Sequence, residues 1–380
     1  FLQGGDGYSF GFNEFGSGYD GLKEGNFANP NLTWEKARKT NVGFDATLFN
    51  GKLTIAADYF REHRYDIITT LSDGDKMGYP DIVGKDAPFV NSGIVDNQGI
   101  DFELGWNSTI GKDFRYYIKP NFTFARNKIK FMNEVDYGNE YRQKTGHRLG
   151  EHFVYVVDHF VYDQAEADKL NAMNDGRGFQ PWGELHPGDV VYKDLNQDGK
   201  IDDYGDRTHM GFPRTPEIQF GIPFGIQYKG FDVSVMFQGS LNSSILLNGA
   251  AVWDFPSYEQ DQYGKVKHMH LNRWTEATKD VATYPRLTYG AYENNKNGNS
   301  SLFLYDASYL RLKNLELGYN IPDCLCQKFA IQRMRVYFTG LNLLTFTQVR
   351  NWDAEKFAGD TENFNYPQLK SYSIGLNITF

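Results

Sequence analysis

Apolar and polar side chains alternate one for one along much of this chain, and its last stretch does so without a break. From Gln368 to Phe380, Tyr372, Ile374, Leu376, Ile378 and Phe380 fall on one side; Ser371, Ser373, Gly375, Asn377 and Thr379 fall on the other. That period of two defines a strand with unlike faces. The design recurs upstream. Val42, Phe44, Ala46 and Leu48 lead into Asn50-Gly51, a pair suited to the positive φ of a tight hairpin, and Leu53, Ile55, Ala57 and Tyr59 begin a strand that continues through charged residues to about Thr70. Ile100, Phe102, Leu104 and Trp106 alternate with Asp101, Glu103, Gly105 and Asn107. Tyr116, Ile118, Pro120, Phe122 and Phe124 form the next strand, where Pro120 cannot donate a ladder hydrogen bond. Ile218 to Tyr228 and Phe231 to Phe237 flank Lys229-Gly230, and Tyr309 to Ile321 and Arg333 to Phe346 precede the terminal strand. Phe1 to Pro30 has no sustained period and reads as an irregular loop.

The connections carry a second pattern. Those at Asn50-Gly51, Ile110 to Asp113, Lys229-Gly230 and Pro322 are short, whereas 71–97, 129–212, 241–306 and 347–368 are long and polar. Strict alternation of short and long predicts an all-β fold, a transmembrane antiparallel β-barrel with short periplasmic turns and long extracellular loops. The apolar rows then face lipid, and Asp101, Glu103 and Glu316 face a wet interior. Residues 1–380 read as one domain, the C-terminal part of a barrel, because about nine strands leave no closing partner. The row Tyr372, Ile374, Leu376, Ile378 and Phe380 has the form of a membrane-assembly signal.

Composition agrees with strands that show half their surface to water. Aromatics make up 16% of the 380 residues, yet the mean hydropathy is -0.56, so no membrane helix is hidden here. A net charge of -9 argues against nucleic acid, whose phosphates require a basic surface. Cys324 and Cys326, one residue apart, would close a strained ring and read as incidental thiols rather than a disulfide framework. A chain opening on Phe1, without Met or a leader pattern, reads as processed or partial.

Candidate chemistry is concentrated in one place. Asp194-Leu195-Asn196-Gln197-Asp198-Gly199-Lys200-Ile201-Asp202 matches the start of a D-x-N-x-D-G calcium loop. Asp194, Asn196 and Asp198 would converge, Gly199 permits the sharp turn, Lys200 offers its carbonyl and Asp202 adds a ligand or holds a water. The twelfth position is Gly205, with Asp203 and Asp206 beside it, so Asp206 is the candidate last ligand. The ion would be Ca2+ or Mg2+ in a bracing role. His268 and His270 lack a third metal ligand. No nucleophile elbow, phosphate-binding loop or zinc-protease motif occurs, so no enzyme is indicated. Trp182, Trp253 and Trp274, with Tyr8 and Phe10, are candidates for stacking on sugar or peptide groups; packing loops together is the simpler role for each.

Gly188-Asp189-Val190-Val191-Tyr192-Lys193 running into the Asp194 loop resembles the SusC/RagA family of TonB-linked outer-membrane proteins from Bacteroidota. Further stretches fit the same family: Asn91-Ser92-Gly93 with Asn97-Gln98-Gly99-Ile100-Asp101, Asn272-Arg273-Trp274-Thr275, Tyr284-Pro285-Arg286-Leu287, Ala307-Ser308-Tyr309-Leu310-Arg311-Leu312-Lys313-Asn314 and Gly340-Leu341-Asn342-Leu343. The resemblance implies a plugged barrel of about 22 strands, of which this chain lacks the plug. It also implies partners: a SusD-like surface lipoprotein as lid, TonB as energy source, and a glycan or peptide as cargo. Two other readings remain open, a passive porin and a secreted β-rich glycan-binding protein or glycosidase.

Overall fold

The computed structural model describes residues 2–9, 18–24, 28–70, 88–134, 138–249, 252–255, 266–290, 292–349, 352–355 and 368–380. Two strands, β1 (Leu2–Ser9) and β2 (Gly18–Glu24), pair antiparallel in what the sequence pattern left as irregular; glycine-rich chain without alternation carries no period to read. Then come β3 (Lys36–Leu48), β4 (Leu53–Thr70), β5 (Phe89–Ile110), β6 (Phe114–Ile118) and β7 (Asn121–Phe131). Short strands follow, β8 (His152–Tyr155), β9 (Val157–Phe160), β10 (Val190–Tyr192) and β11 (Arg207–Met210), with a helix α1 (Gln164–Asn171) between β9 and β10. The long strands resume with β12 (Ile218–Tyr228) and β13 (Phe231–Leu241). After short β14 (Ser244–Leu246) and β15 (Leu304–Asp306), β16 (Tyr309–Asn320), β17 (Arg333–Thr347) and β18 (Ser371–Thr379) close the chain.

The long strands form one 10-stranded antiparallel sheet in the order β18-β17-β16-β13-β12-β6-β5-β4-β3, with β7 pairing both β12 and β5. Every neighbour along this path is the next long strand in sequence, the up-and-down topology that alternating connections require. Hairpin geometry follows turn chemistry: Phe49, Asn50 and Gly51 all have positive φ (53°, 55° and 82°), as do Lys229 and Gly230 (45° and 88°). Pro120 divides the expected single strand into β6 and β7. It has no N–H to donate, but its carbonyl accepts from the Leu104 amide at 2.9 Å, so the two halves stay in the sheet.

Three other expectations change. Of the loop expected at 71–97, residues 71–87 lie outside the described set, while β5 already begins at Phe89; Asn91, Ser92 and Gly93 looked loop-like by composition yet sit in the strand. The stretches 129–212 and 241–306 contain β8–β11, α1, β14 and β15 rather than plain loop, and β7 runs on to Phe131. The connection at Pro322, read only as short, holds a helical turn at Asp323–Cys326, and Cys326 is buried there as a free thiol while Cys324 is exposed.

The apolar row of the sheet is uncovered. Ile374 is 83% and Phe380 79% exposed, and Val42, Phe44, Ile100, Phe122, Phe231, Leu344 and Phe346 are exposed too. Aromatics collect at the short-connection end. Phe49 meets Trp106 edge-on at 6.2 Å, Phe114 contacts Tyr116 and Tyr228, Phe231 lies 4.4 Å from Tyr319, and Trp106 Nε1 donates to the Tyr116 hydroxyl at 3.1 Å. Such rings, apolar in body and polar at the tip, favour a membrane interface.

The chain divides into two compact units, Phe1–Thr40, Arg61–Gln98 and Asn127–His147 in one, and Asn41–Phe60, Gly99–Arg126 and Arg148–Phe380 in the other. Apolar cores of ordinary kind occur in the second, within the long connections: Tyr155, Val190, Tyr192 and Ile201 in one cluster, and Leu247, Val252, Tyr284 and Phe303 in another.

Candidate functional site

The polar face of the sheet carries the first set of candidate groups. Asp232, Glu316 and Arg335 come together from three adjacent strands: the Arg335 guanidinium donates to both carboxylates, and Asn320 adds its amide to Asp232 at 3.4 Å. Farther along, the Tyr117 hydroxyl meets Ser234 at 3.1 Å. Beyond that lies a pocket of about 510 Å3 whose walls include Asn121, Thr123, Gln219, Gln238, Ser240 and Glu355. Glu316 thus lies on the polar face of the sheet; Asp101 and Glu103 alternate onto one face of β5, with Glu103 lining a separate pocket. Arg311, 3% exposed, is held by Asp353 at 2.7 Å, Thr345 at 3.0 Å, Glu355 and Gln368. Local backbone irregularity aims it there. The β16–β17 register shifts between Leu312 and Asn314, Asn342 takes φ 53°, and its amide donates to the Leu369 carbonyl at 3.0 Å. The Gly340-Leu341-Asn342-Leu343 motif is thus a β-bulge, a device that re-aims neighbouring side chains.

A second set lies in the long connections and is built around Asp189, which is fully buried. Its carboxylate receives Arg286 Nε at 2.6 Å and Nη2 at 3.2 Å, the Asn295 amide at 2.8 Å, the Tyr292 hydroxyl at 2.9 Å and the His186 backbone N–H at 2.8 Å. A buried carboxylate requires this many donors. Beside it Gly188 has φ 88°, and a Cβ there would come within 2.5 Å of the Trp274 ring. Only glycine permits that approach. The motif stretches 188–202, 272–275 and 284–287 therefore meet at one point in space. Gln180 extends the network by donating to Asn294 Oδ1 at 2.8 Å while accepting from the Tyr192 amide at 2.8 Å. Nearby Lys296, 1% exposed, donates to the carbonyls of Thr288 at 2.6 Å and Gly290 at 2.7 Å. Burial lowers its pKa to about 8, against the opposing charge of Asp254.

The Asp194 loop follows directly. Asp194 accepts from the amides of Asp198 at 3.2 Å and Gly199 at 2.7 Å, Asn196 from Asp198 at 3.1 Å, and Asp198 from Lys200 at 3.1 Å. Asp202 accepts from Tyr204 at 2.8 Å and Gly205 at 2.7 Å, and its carboxylate takes the Lys200 ammonium at 2.8 Å. Asp206, fully buried, reaches back to the amides of Leu195 at 2.8 Å and Asp202 at 2.7 Å. Burial raises the Asp206 pKa, and the nearby charges of Asp194 and Asp202 add to that. Among the described residues, no three of these carboxylates bring oxygens within 4.8 Å of one another. The loop is drawn into shape by its own Asx turns.

With this geometry in hand, known proteins can be compared. Residues 3–343 match the family model described as TonB dependent receptor-like, beta-barrel. The chain belongs to the TonB-dependent receptor β-barrel family. TonB-dependent receptor P3 of Formosa agariphila is 27% identical over 93% of the chain and 35% of its own length. TonB-dependent receptor SusC of Bacteroides thetaiotaomicron is 24% identical over 96% of the chain and 34% of its own length. The chain thus spans about a third of the curated relatives it matches. In fold it is similar to a chain of the RagAB peptide importer in an open-open state, with a TM-score of 0.67 and 23% identity over all of this chain and 38% of that one. As a member of this family it is an outer-membrane β-barrel protein with strands as its spans, and the exposed apolar row of the sheet is its lipid face.

Within this TonB-dependent receptor the other candidates take plainer places. Trp182 packs edge-on to Tyr155 and Tyr192 at 5.0 and 5.6 Å, Trp253 packs against the core around Val252 and Tyr284, and Trp274 covers Gly188. All three rings are engaged in packing within the long connections. Tyr8 lies in β1, and Phe10 lies outside the described residues. His268 and His270 sit in a 3-10 turn of the connection. Both His270 nitrogens are used, Nε2 donating to the Val252 carbonyl at 2.9 Å and Nδ1 accepting from the Lys267 amide at 3.1 Å. Sequence reasoning missed α1, although Asp163 and Glu166 carry a capping signature: the Asp163 side chain accepts from the Glu166 amide at 2.9 Å. It also missed the buried Asp189–Arg286 pair, for which a charge inside a motif was the available signal.

Proposed function

We propose that this receptor imports an oligosaccharide or a peptide across the outer membrane, powered through TonB and working with a SusD-like surface lipoprotein that closes over the long connections. The observation that supports it most is the meeting of the family-like stretches around Asp189. A passive pore needs no such braced external scaffold, whereas a lid needs a defined surface to close on. The polar inner face, with its compensated charges at Asp232, Glu316 and Arg335, keeps the passage hydrated. Nucleophilic and acid–base catalysis play no part in this reading. Uptake of labelled oligosaccharide and peptide pools by cells with and without TonB tests it: uptake lost on deletion of TonB is the expected result, and uptake that persists would make the protein a porin. Co-purification of a lipoprotein with the detergent-extracted receptor tests the lid.

The Asp194 loop is read as a brace for Ca2+ or Mg2+, with the side chains of Asp194, Asn196, Asp198, Asp202 and Asp206 and the Lys200 carbonyl as donors. An all-oxygen, largely anionic set suits a hard cation, and the raised pKa of buried Asp206 beside two other carboxylates fits a site that a cation would relieve. Replacing Asp194 and Asp198 with Ala should remove bound metal, measured by elemental analysis of the purified receptor, and increase protease cleavage near 194–206. Unchanged metal content counts against the site. The row ending at Phe380 is read as the signal for barrel assembly, and truncating it should lower the amount of folded receptor in the outer membrane.

A further inference from the structure

Deep in the long connections a buried amine faces a buried carboxyl group. Asp254 is fully buried and Lys296 is 1% exposed. Their separation, 3.6 Å from Nζ to Oδ2, lies beyond the reach of a good hydrogen bond. Lys296 Nζ donates instead to the Thr288 and Gly290 carbonyls, at 2.6 and 2.7 Å. An ammonium would have a third N–H left over, whereas a neutral amine has only two. With both of those held by carbonyls, its lone pair is free to meet Asp254. An incompletely bonded ion pair is costly in such a place, and passing one proton from ammonium to carboxylate removes both charges. Burial already lowers the Lys296 pKa to about 8, and a desolvated lysine amine is a nucleophile.

The carboxyl group is placed to be attacked. Its Oδ1 accepts from the Tyr284 hydroxyl at 2.8 Å and its Oδ2 from the Thr288 backbone N–H at 2.6 Å. Donors on a carboxyl oxygen stabilise the charge that gathers there when the carbon becomes tetrahedral, as in an oxyanion hole. The surroundings are apolar: Leu247, Val252, Tyr284 and Phe303 form a buried cluster, and Trp253 packs against it. His270, its ring 4.5 Å from that of Tyr284, has its pKa lowered by burial and adds no competing cation. The other buried carboxylate of this connection's surroundings, Asp189, is already taken by Arg286. Asp254 is therefore the carboxyl group open to Lys296.

We propose that Lys296 and Asp254 join in an intramolecular isopeptide bond. One proton passes from the ammonium to Oδ2. The neutral nitrogen attacks Cγ, forming the C–N bond while the carbonyl electron pair moves onto Oδ1, where the Tyr284 hydroxyl holds the negative charge. A second nitrogen proton passes to the Oδ2 hydroxyl, the C–O bond breaks, water leaves and the carbonyl reforms. One amide and one water thus replace an amine and a carboxylic acid, and neither oxidant nor co-reactant is consumed. Holding the two groups together supplies the proximity that the same pair lacks free in water. The bond ties two distant points of the 241–306 connection and, like other cross-links, restricts its unfolded chain. It does not depend on which cargo the receptor carries.

The test uses the whole receptor extracted from its own outer membrane, digested with trypsin and read by peptide mass spectrometry. Trypsin does not cut after an acylated lysine, so the wild-type receptor should give 230–265 joined to 287–311, one water lighter than the two peptides together. Lys296→Met, close in length and without an amine, should give the same two peptides apart, and heat-dependent gel mobility verifies that it is folded. Tyr284→Phe, which removes the donor at Oδ1, should form the link about a hundredfold more slowly in pulse-labelled cells. Free 230–265 and 287–296 from folded wild-type receptor would leave Asp254 and Lys296 as an ion pair and overturn the proposal, without recourse to either variant. So would a link from Lys296 to any other carboxylate. An unchanged rate in Tyr284→Phe overturns the mechanism through Oδ1.

Discussion

The sheet and the long connections are built on opposite rules. In the sheet many large apolar side chains stand exposed, and Ile374 at 83% is an extreme case. In the connections apolar residues such as Tyr192, Leu247 and Phe303 are sealed in cores, and charges are sealed with them: Asp189, Asp254 and Lys296 are all within 1% of full burial. The difference reflects the solvent each part meets. A strand in lipid satisfies its backbone through its neighbours and needs only an apolar outer row, whereas a module in water must assemble a core and pair every polar group it encloses.

The sharpest way to break this comparison is at Asp189. Asp189→Ala leaves Arg286 and its companions without their acceptor and should cost the connections about 3 to 5 kcal/mol, seen as faster amide exchange around 180–192 and 284–296. If the long strands lose protection equally, the two regions are not independent in stability. Next is the lipid face. Ile374→Lys should destabilise the barrel by about 2 to 4 kcal/mol if that position lies near the bilayer midplane, whereas Ser373→Lys, one residue away on the polar face, should cost far less; urea unfolding in vesicles measures both. Equal costs would mean that the faces are misassigned.

A smaller effect sharpens the contrast within the connections. His159 lies between Asp158 and Glu166, each at 2.8 Å, and although burial lowers its pKa, these two carboxylates raise it further, to a net rise above 6.5. A raised folded-state value means that its stabilisation is complete below the unfolded pKa and is lost as pH rises through the folded one. Amides at the start of α1 should therefore exchange relatively faster above that range than at pH 6, and the difference should vanish in His159→Asn. Exposure of this cluster keeps the effect to a few tenths of a kcal/mol.

How much was legible depended on the range of each signal. The strands from Val42 to Phe380 were visible because alternation is written residue by residue, and their order in the sheet followed from the lengths of the connections. Boundaries failed where composition imitated a loop, as at Asn91-Ser92-Gly93, or where proline divided a strand, as at Pro120. The Asp194 loop was legible as a motif because its bonds are local, made within a dozen residues; the use of Asp206 to clamp Leu195 and Asp202 was visible only in three dimensions. Packing was the simpler role for Trp182, Trp253 and Trp274 in the sequence, but the partners of each ring were visible only in three dimensions.

By itself, then, the sequence determined the two-faced strands, the short-and-long rhythm of their connections and the acidic loop, all properties set by neighbours along the chain. Tertiary structure alone decided that Gly188, Trp274 and Arg286 meet at Asp189, and that Arg311 is trapped by Asp353 from across the last connection. Those contacts join residues tens to about a hundred positions apart, and local pattern carries no information about which distant donors a buried charge will find.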